Sequence, residues 1–186
     1  MKIHIETERL LMRDLSEQDT LGIFKLDSDP DVHTYLGKKP LKTIAEAEKN
    51  IAFIQKQYIE NGIGRWAVIE KESGHFIGWS GFKFIKSVIN NRTQYYDLGY
   101  RFLKQYWGKG YATETAVASL DYGFTQLNQK EICAMADIEN LASNRILQKI
   151  GMVKLNEFKY ETVPHNFYAI NKAEWKKSLR RIKSAS

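Results

Sequence analysis

Gln105-Tyr106-Trp107-Gly108-Lys109-Gly110-Tyr111-Ala112 joins two segments of different period, and the reading of this junction decides the fold. Upstream, residues 95–103 (YYDLGYRFL) favour a strand, with Leu98, Tyr100 and Phe102 on one face. Downstream, Ala112, Ala116, Val117, Leu120, Phe124 and Leu127 recur at three- and four-residue steps, the mark of an amphipathic helix. The first turn of that helix presents unpaired backbone N–H groups and a partial positive charge. Gly108 and Gly110 keep side chains out of the way of a close ligand and Lys109 adds a cation, so the turn suits a diphosphate; a plain tight turn between strand and helix accounts for the glycines as well.

Two better-known phosphate motifs do not fit. Thr113 stands where the third glycine or alanine of a dinucleotide fingerprint belongs, and too little chain follows for a two-half nucleotide fold. No glycine is followed by Lys-Ser or Lys-Thr at Walker A spacing.

Gln105-x-x-Gly108-x-Gly110 followed by Ala112 resembles the acyl-CoA motif of the GNAT superfamily of N-acyltransferases. Three further segments extend the resemblance along the chain. Residues 7–15 (TERLLMRDL) are similar to the opening strand of its RimJ/RimL-like branch, and Asp97-Leu98-Gly99-Tyr100 to that branch's acidic-apolar-Gly-Tyr strand. Asn140-x-x-Ser143, with Leu147 and Gly151-Met152, resembles its second coenzyme-contacting segment. The resemblance implies acetyl-CoA as acyl donor, a primary amine as acceptor (a protein α-amine, an amino acid or another small amine), and direct transfer in a ternary complex. A non-catalytic acyl-CoA-binding or ribosome-associated module is the alternative.

Composition sets the outer limits. With 186 residues, 43% of them apolar, three prolines and no low-complexity run, the chain reads as one domain over 1–186. No apolar stretch approaches a membrane span, no secretory signal opens the chain, and a single cysteine cannot form an internal disulfide. A cytoplasmic protein, monomer or homodimer, is expected. The net charge of +6 owes much to Lys172, Lys176, Lys177, Arg180, Arg181 and Lys183. They lie on a terminal helix, about 172–183, with Trp175 and Leu179 on its packed side. No nucleic-acid-binding signature accompanies that cluster, so it reads as a solvated face.

Periodicity and turn residues predict an α+β order: a strand over 3–14, a helix from Ser16 to Leu26, and a Thr43-capped helix over 44–59. Strands follow at 65–70, 75–85 and 93–103, then a helix at 111–127, a strand at 131–137 and a helix at 141–150. Strands near 152–160 and 165–171 precede the terminal helix. The resemblance implies a mixed sheet in which the strands ending near Leu103 and Asp137 are parallel and splayed. Pantetheine would then enter between them, on backbone donors near Phe102 and Leu103, and the diphosphate would lie on residues 107–112, which include Trp107, Lys109 and Tyr111.

Asn140 suits the N-cap of its helix and Gly151 the C′ position, so helix punctuation accounts for both; Ser143 can share that cap. By resemblance Asn140 holds pantetheine, Ser143 lies near the thioester sulfur, and Asn144 and Arg145 reach the adenylate end. Many GNAT enzymes carry a tyrosine acid seven residues after this asparagine, where this chain has Leu147, so Ser143 is the candidate that assists the thiolate. Asp97 is the candidate base, the competing reading being an ion pair with a cation such as Arg101 or a role as a capping group; Asp137 and Glu139 are alternatives. Tyr35, Trp66, Trp79, Phe82 and Tyr168 fall in segments that flank the family's cleft, where they would line the acceptor pocket. Cys133 lies in an apolar strand and reads as core, and His4, His33, His75 and His165 show no metal spacing.

Overall fold

The structure, a computed structural model, describes residues 2–37 and 39–184, with Lys183 described by its backbone alone. Met1, Lys38, Ala185 and Ser186, part of the expected 1–186 domain, lie outside the described residues. The expected first strand is two strands, β1 (Ile3–Glu6) and β2 (Leu10–Arg13), paired antiparallel. Thr7 breaks it: its Oγ1 accepts the Leu10 N–H at 3.0 Å, a local turn that outcompetes continuous extension. Next come α1 (Thr20–Ser28) and α2 (Ile44–Asn61); Thr43 and Glu46 form a capping box at the start of α2 and left-handed Gly62 ends it.

The remaining order is β3 (Arg65–Glu70), β4 (Phe76–Ile85), β5 (Tyr95–Phe102), α3 (Tyr111–Thr125), β6 (Glu131–Asp137), α4 (Leu141–Lys149), β7 (Val153–Tyr160), β8 (Val163–Asn171) and α5 (Lys172–Ser184). The eight strands form one sheet in the order β1-β2-β3-β4-β5-β6-β8-β7, antiparallel except for β5 and β6. Alternation along the strands divides the core between two faces. Trp66, Val68, Phe82, Leu98 and Phe102 pack on one face with Leu120 and Phe124 of α3, Leu147 of α4 and Trp175 of α5. Ala67 and Trp79 pack on the other with Ile23 and Leu26 of α1 and Ile51 and Ile54 of α2. No helix among the described residues is long and apolar enough to cross a membrane.

Candidate active site

β5 and β6 meet at a single paired position, Asp97 with Cys133, and separate beyond it. Leu103 N–H donates to the Ile77 carbonyl at 3.0 Å. With Gly78 opposite Phe102, this register turns the backbone groups of Leu98, Tyr100 and Phe102 toward β6. The Phe102 N–H therefore faces the gap, whereas the expected Leu103 donor is already used within the sheet. The Phe102 carbonyl is also taken, by Trp107 Nε1 at 2.7 Å.

A cavity of about 920 Å3 occupies this gap and reaches both faces of the sheet. On the α4 side it is lined by Tyr100, Asn140, Ser143 and Leu147; on the α1–α2 side by Arg65, Trp79, Asp97 and Arg101. Thr34 to Gly37 and Glu161 to Val163 form its rim.

Asn140 caps α4, its Oδ1 accepting the Ser143 N–H at 3.0 Å. The cap leaves the Ser143 hydroxyl exposed to the cavity, 3.1 Å from the hydroxyl of Tyr100. Burial raises the pKa of the Tyr100 phenol, so it stays protonated and able to donate. Tyr100 was not among the site residues expected from the sequence, although it ends the Asp97-Leu98-Gly99-Tyr100 strand. A phenol thus reaches the cavity from β5 where Leu147 leaves none on α4.

Asp97 is 4% exposed, and its Oδ1 has no hydrogen-bond partner among the described residues. Burial pushes its pKa up to about 6, against the opposing charges of Arg65 and Lys83. The competing reading, an ion pair with Arg101, does not form among the described residues, because Arg101 is bound to the buried Asp27 of α1. Asp137 and Glu139 lie on the cavity wall, and the Asp137 carboxylate accepts the Glu139 N–H at 2.9 Å.

The turn expected to hold a diphosphate is built as its glycines require. Gly108 and Gly110 have φ of +74° and +83°, and a Cβ added at Gly108 would meet nothing within 4 Å. α3 follows the N-cap Gly110 with no side-chain cap, so its first N–H groups are not taken by a capping side chain. Glu114 in that first turn is neutralised by Arg9, whose Nε donates to it at 2.8 Å while Nη1 donates to the Lys109 carbonyl at 3.0 Å. Lys109 lies over the Tyr106 ring, and Gln105, Trp107 and Lys109 are exposed. Tyr111 turns away, donating from its hydroxyl to Glu70 at 2.6 Å, and with half-buried Ala112 offers the turn only its backbone. An uncapped helix start and an open glycine turn beside a gap between strands fit the diphosphate and pantetheine arm of a coenzyme A thioester.

Four expected site residues fall elsewhere. Trp66 and Phe82 are fully buried on the α3 face, where Trp66 stacks on His4 at 5.0 Å; strand alternation points them away from the acceptor side. Tyr168 is buried as well and donates to Asn144 Oδ1 at 2.7 Å. Asn144 is occupied by the fold: its Nδ2 donates to the carbonyls of Asp137 and Asn140, both at 2.8 Å, and its Oδ1 also accepts from Asn166 at 2.7 Å. Trp79 and Tyr35 do line the cavity, and Arg145 is exposed on α4. Cys133 is buried and its thiol is pushed up to about 12 by burial, which leaves no thiolate for covalent catalysis. Among the described residues no group of three His, Cys, Asp or Glu is placed to hold a metal ion.

Comparison with known proteins agrees with this architecture. The family described as acetyltransferase (GNAT) domain matches residues 9–153. The uncharacterized N-acetyltransferase YnaD of Bacillus subtilis is 32% identical over 180 residues, covering 93% of this chain and 99% of that protein. Spermidine N(1)-acetyltransferase of Escherichia coli K12 is 27% identical over 150 residues, 81% of this chain and 76% of the relative. The crystal structure of a GNAT-family acetyltransferase from Bacillus anthracis superposes with a TM-score of 0.75 at 27% identity, covering 91% of this chain and 98% of the other. The chain belongs to the GNAT acetyltransferase family and is an acyltransferase.

Proposed function

We propose that this enzyme is an acetyl-CoA-dependent N-acetyltransferase of the RimJ/RimL-like branch, acting on a primary amine by direct transfer within a ternary complex. The carrying observation is the cavity through the sheet, with a buried carboxylate on one side of the β5–β6 gap and a hydroxyl pair on the other. The branch assignment rests on the opening strand, the Asp97-Leu98-Gly99-Tyr100 strand and the Asn140-x-x-Ser143 segment. The spermidine-acetylating relative supports a small-molecule amine.

The thioester of acetyl-CoA supplies the acetyl group, exchanging its C–S bond for a C–N bond to the acceptor. N–H groups of residues 107–112 hold the diphosphate, and the Phe102 N–H, turned into the gap, is a donor for the pantetheine arm or the thioester oxygen. Asp97 accepts the proton the amine loses. A group near 6 is ionised at neutral pH yet a stronger base than an ordinary carboxylate. Ser143, backed by the Tyr100 hydroxyl, donates to the departing thiolate, which needs only modest help because a thiol has a pKa of about 8.5. The shielded Cys133 is consistent with transfer that forms no acyl-enzyme. The one sheet, with α5 packing Trp175 into its core, supports a single domain over the chain, and the lone buried thiol suits the cytoplasm.

The test is thiol release from acetyl-CoA with a panel of primary amines, the products weighed by mass spectrometry. Saturable acetyl-CoA binding without turnover on any amine would leave a binding module and refute the reading.

A further inference from the structure

The acceptor side of the cavity carries a feature that an amine alone does not require. In the sheet register, Arg65 of β3 stands opposite Gly81 of β4, and Gly81 opposite Gly99 of β5. Neither glycine has a side chain, so Arg65 is the one long side chain of the row, bordered over Gly99 by the edge of the Trp79 ring. The Arg65 guanidinium lies along the row over Gly99, where an added Cβ would be 3.6 Å from both Nε and Nη2. The neighbouring row is Ala67, Trp79 and Arg101, and the guanidinium carbons of Arg65 and Arg101 lie 4.4 and 5.1 Å from the centre of the Trp79 rings. On the other side Lys83 stands opposite Asp97.

The two arginines differ in what they are bound to. Arg101 is committed to Asp27. Arg65 has a buried Nε with no acceptor, and Asp97 a buried Oδ1 with no donor; neither forms an ion pair among the described residues. A buried donor and a buried acceptor left unsatisfied by the protein in one cavity are costly unless water or a ligand completes them. Burial opposes the charge on Arg65 and the Asp97 carboxylate supports it, so an anion that takes over when Asp97 gains the amine's proton is favoured.

Resting on the acetyltransferase reading above, we infer that the acceptor is a zwitterion, a free α-amino acid or close analogue, whose carboxylate is held by Arg65 and whose amine faces Asp97. The guanidinium offers a planar fork matched to a carboxylate, and Trp79 holds its plane by stacking. A polyamine would bring a second ammonium rather than an anion to Arg65, where like charges repel. A protein N-terminus carries a peptide carbonyl beside its amine and brings no second anion to Arg65.

The experiment compares amino acids with their carboxamides and their decarboxylated amines, together with spermidine, in the thiol-release assay. For at least one side chain the amino acid is expected to exceed its carboxamide in kcat/KM by about 10- to 100-fold. Arg65→Gln should bring that ratio near one by raising KM for the acid, with Arg65→Lys in between. Equal or better turnover of the carboxamides, or a preference for spermidine, overturns the inference. So does an Arg65→Gln defect equal for acid and amide, which marks a residue that only tunes Asp97.

If no amine is turned over, the acetyl-transfer reading fails, and binding decides this inference separately. With coenzyme A present, amino acids should quench tryptophan fluorescence saturably in the wild type and not in Arg65→Gln, Trp79→Phe identifying the reporting ring. No response, or an equal response to carboxamides, overturns it.

Discussion

Replacing Asp97 by Asn separates the cost of this carboxylate from its use. Its pKa is about 6 in the fold against an ordinary 3.8, so between these values the native state holds a proton that the unfolded chain has released. Its contribution to stability is complete below about pH 4 and is lost as pH rises through 6. Two pKa units amount to about 3 kcal/mol at neutral pH. Asparagine resembles the protonated acid at every pH and escapes that loss. At pH 7.5 the variant should therefore melt several degrees higher, up to about 10 °C if the whole term is recovered, and near pH 4 the two proteins should melt together. Activity should move the other way. With α-amine acceptors kcat should fall by about 10²- to 10⁴-fold, the acidic limb of the rate profile near pH 6 should vanish, and high pH should rescue part of the loss as the acceptor deprotonates. An α-amine near 8 gives its proton to a group near 6 at a cost of about 3 kcal/mol, whereas a lysine amine near 10.4 requires about 6, so α-amines should be the better acceptors. Melting by circular dichroism at both pH values and thiol release from pH 5 to 10 read all of this. A variant that melts lower at pH 7.5, or one whose rate loss high pH does not recover, would show Asp97 to be a structural partner of Arg65 and Lys83.

Three further outcomes test the rest of the site. Gly110→Asp places a negative side chain at a φ of +83° in the helix start and should weaken acetyl-CoA binding at least about tenfold by calorimetry; unchanged affinity in a folded variant would remove the diphosphate assignment. Ser143→Ala and Tyr100→Phe should each lower kcat by about 10- to 100-fold, with a double variant less than additive, because one hydrogen bond to developing charge contributes about 1.5–3 kcal/mol. Independent effects would place the two hydroxyls in separate roles. Asn144→Ala strips partners from buried Asn166 and Tyr168 and should cost about 3 kcal/mol in urea unfolding, while a stable variant with weakened acetyl-CoA binding would return Asn144 to the ligand.

The parts of the molecule that were legible in the sequence are those set by local chemistry. The strand-to-helix change of period around Gly108 and Gly110 placed β5, the turn and α3, and the Thr43 and Gly62 signals bounded α2. The miss at Thr7 has the same origin in reverse: one side-chain hydrogen bond to Leu10 outweighs a run of strand-favouring residues, and a hairpin replaces a strand. What was illegible depends on pairing between segments. Trp66 and Trp79 look alike as aromatics on adjacent strands, yet the register sends one beneath α3 and the other into the cavity. Asn144 and Asn140 are both plausible ligands in an Asn-x-x-Ser-Asn segment, but four hydrogen bonds occupy Asn144 whereas Asn140 caps the helix from the cavity wall. Arg65 is the extreme case. Nothing around it forms a motif, and its meaning comes from two glycines on two other strands that fall in its row and from an Asp27 that binds Arg101 instead. The catalytic class of such a chain is thus legible in contiguous residues, the glycine turn and the Asn140-x-x-Ser143 segment. The acceptor specificity inferred above rests on cross-strand rows whose partners lie far apart in sequence, and for that reason the acceptor has to be argued from the register of the sheet.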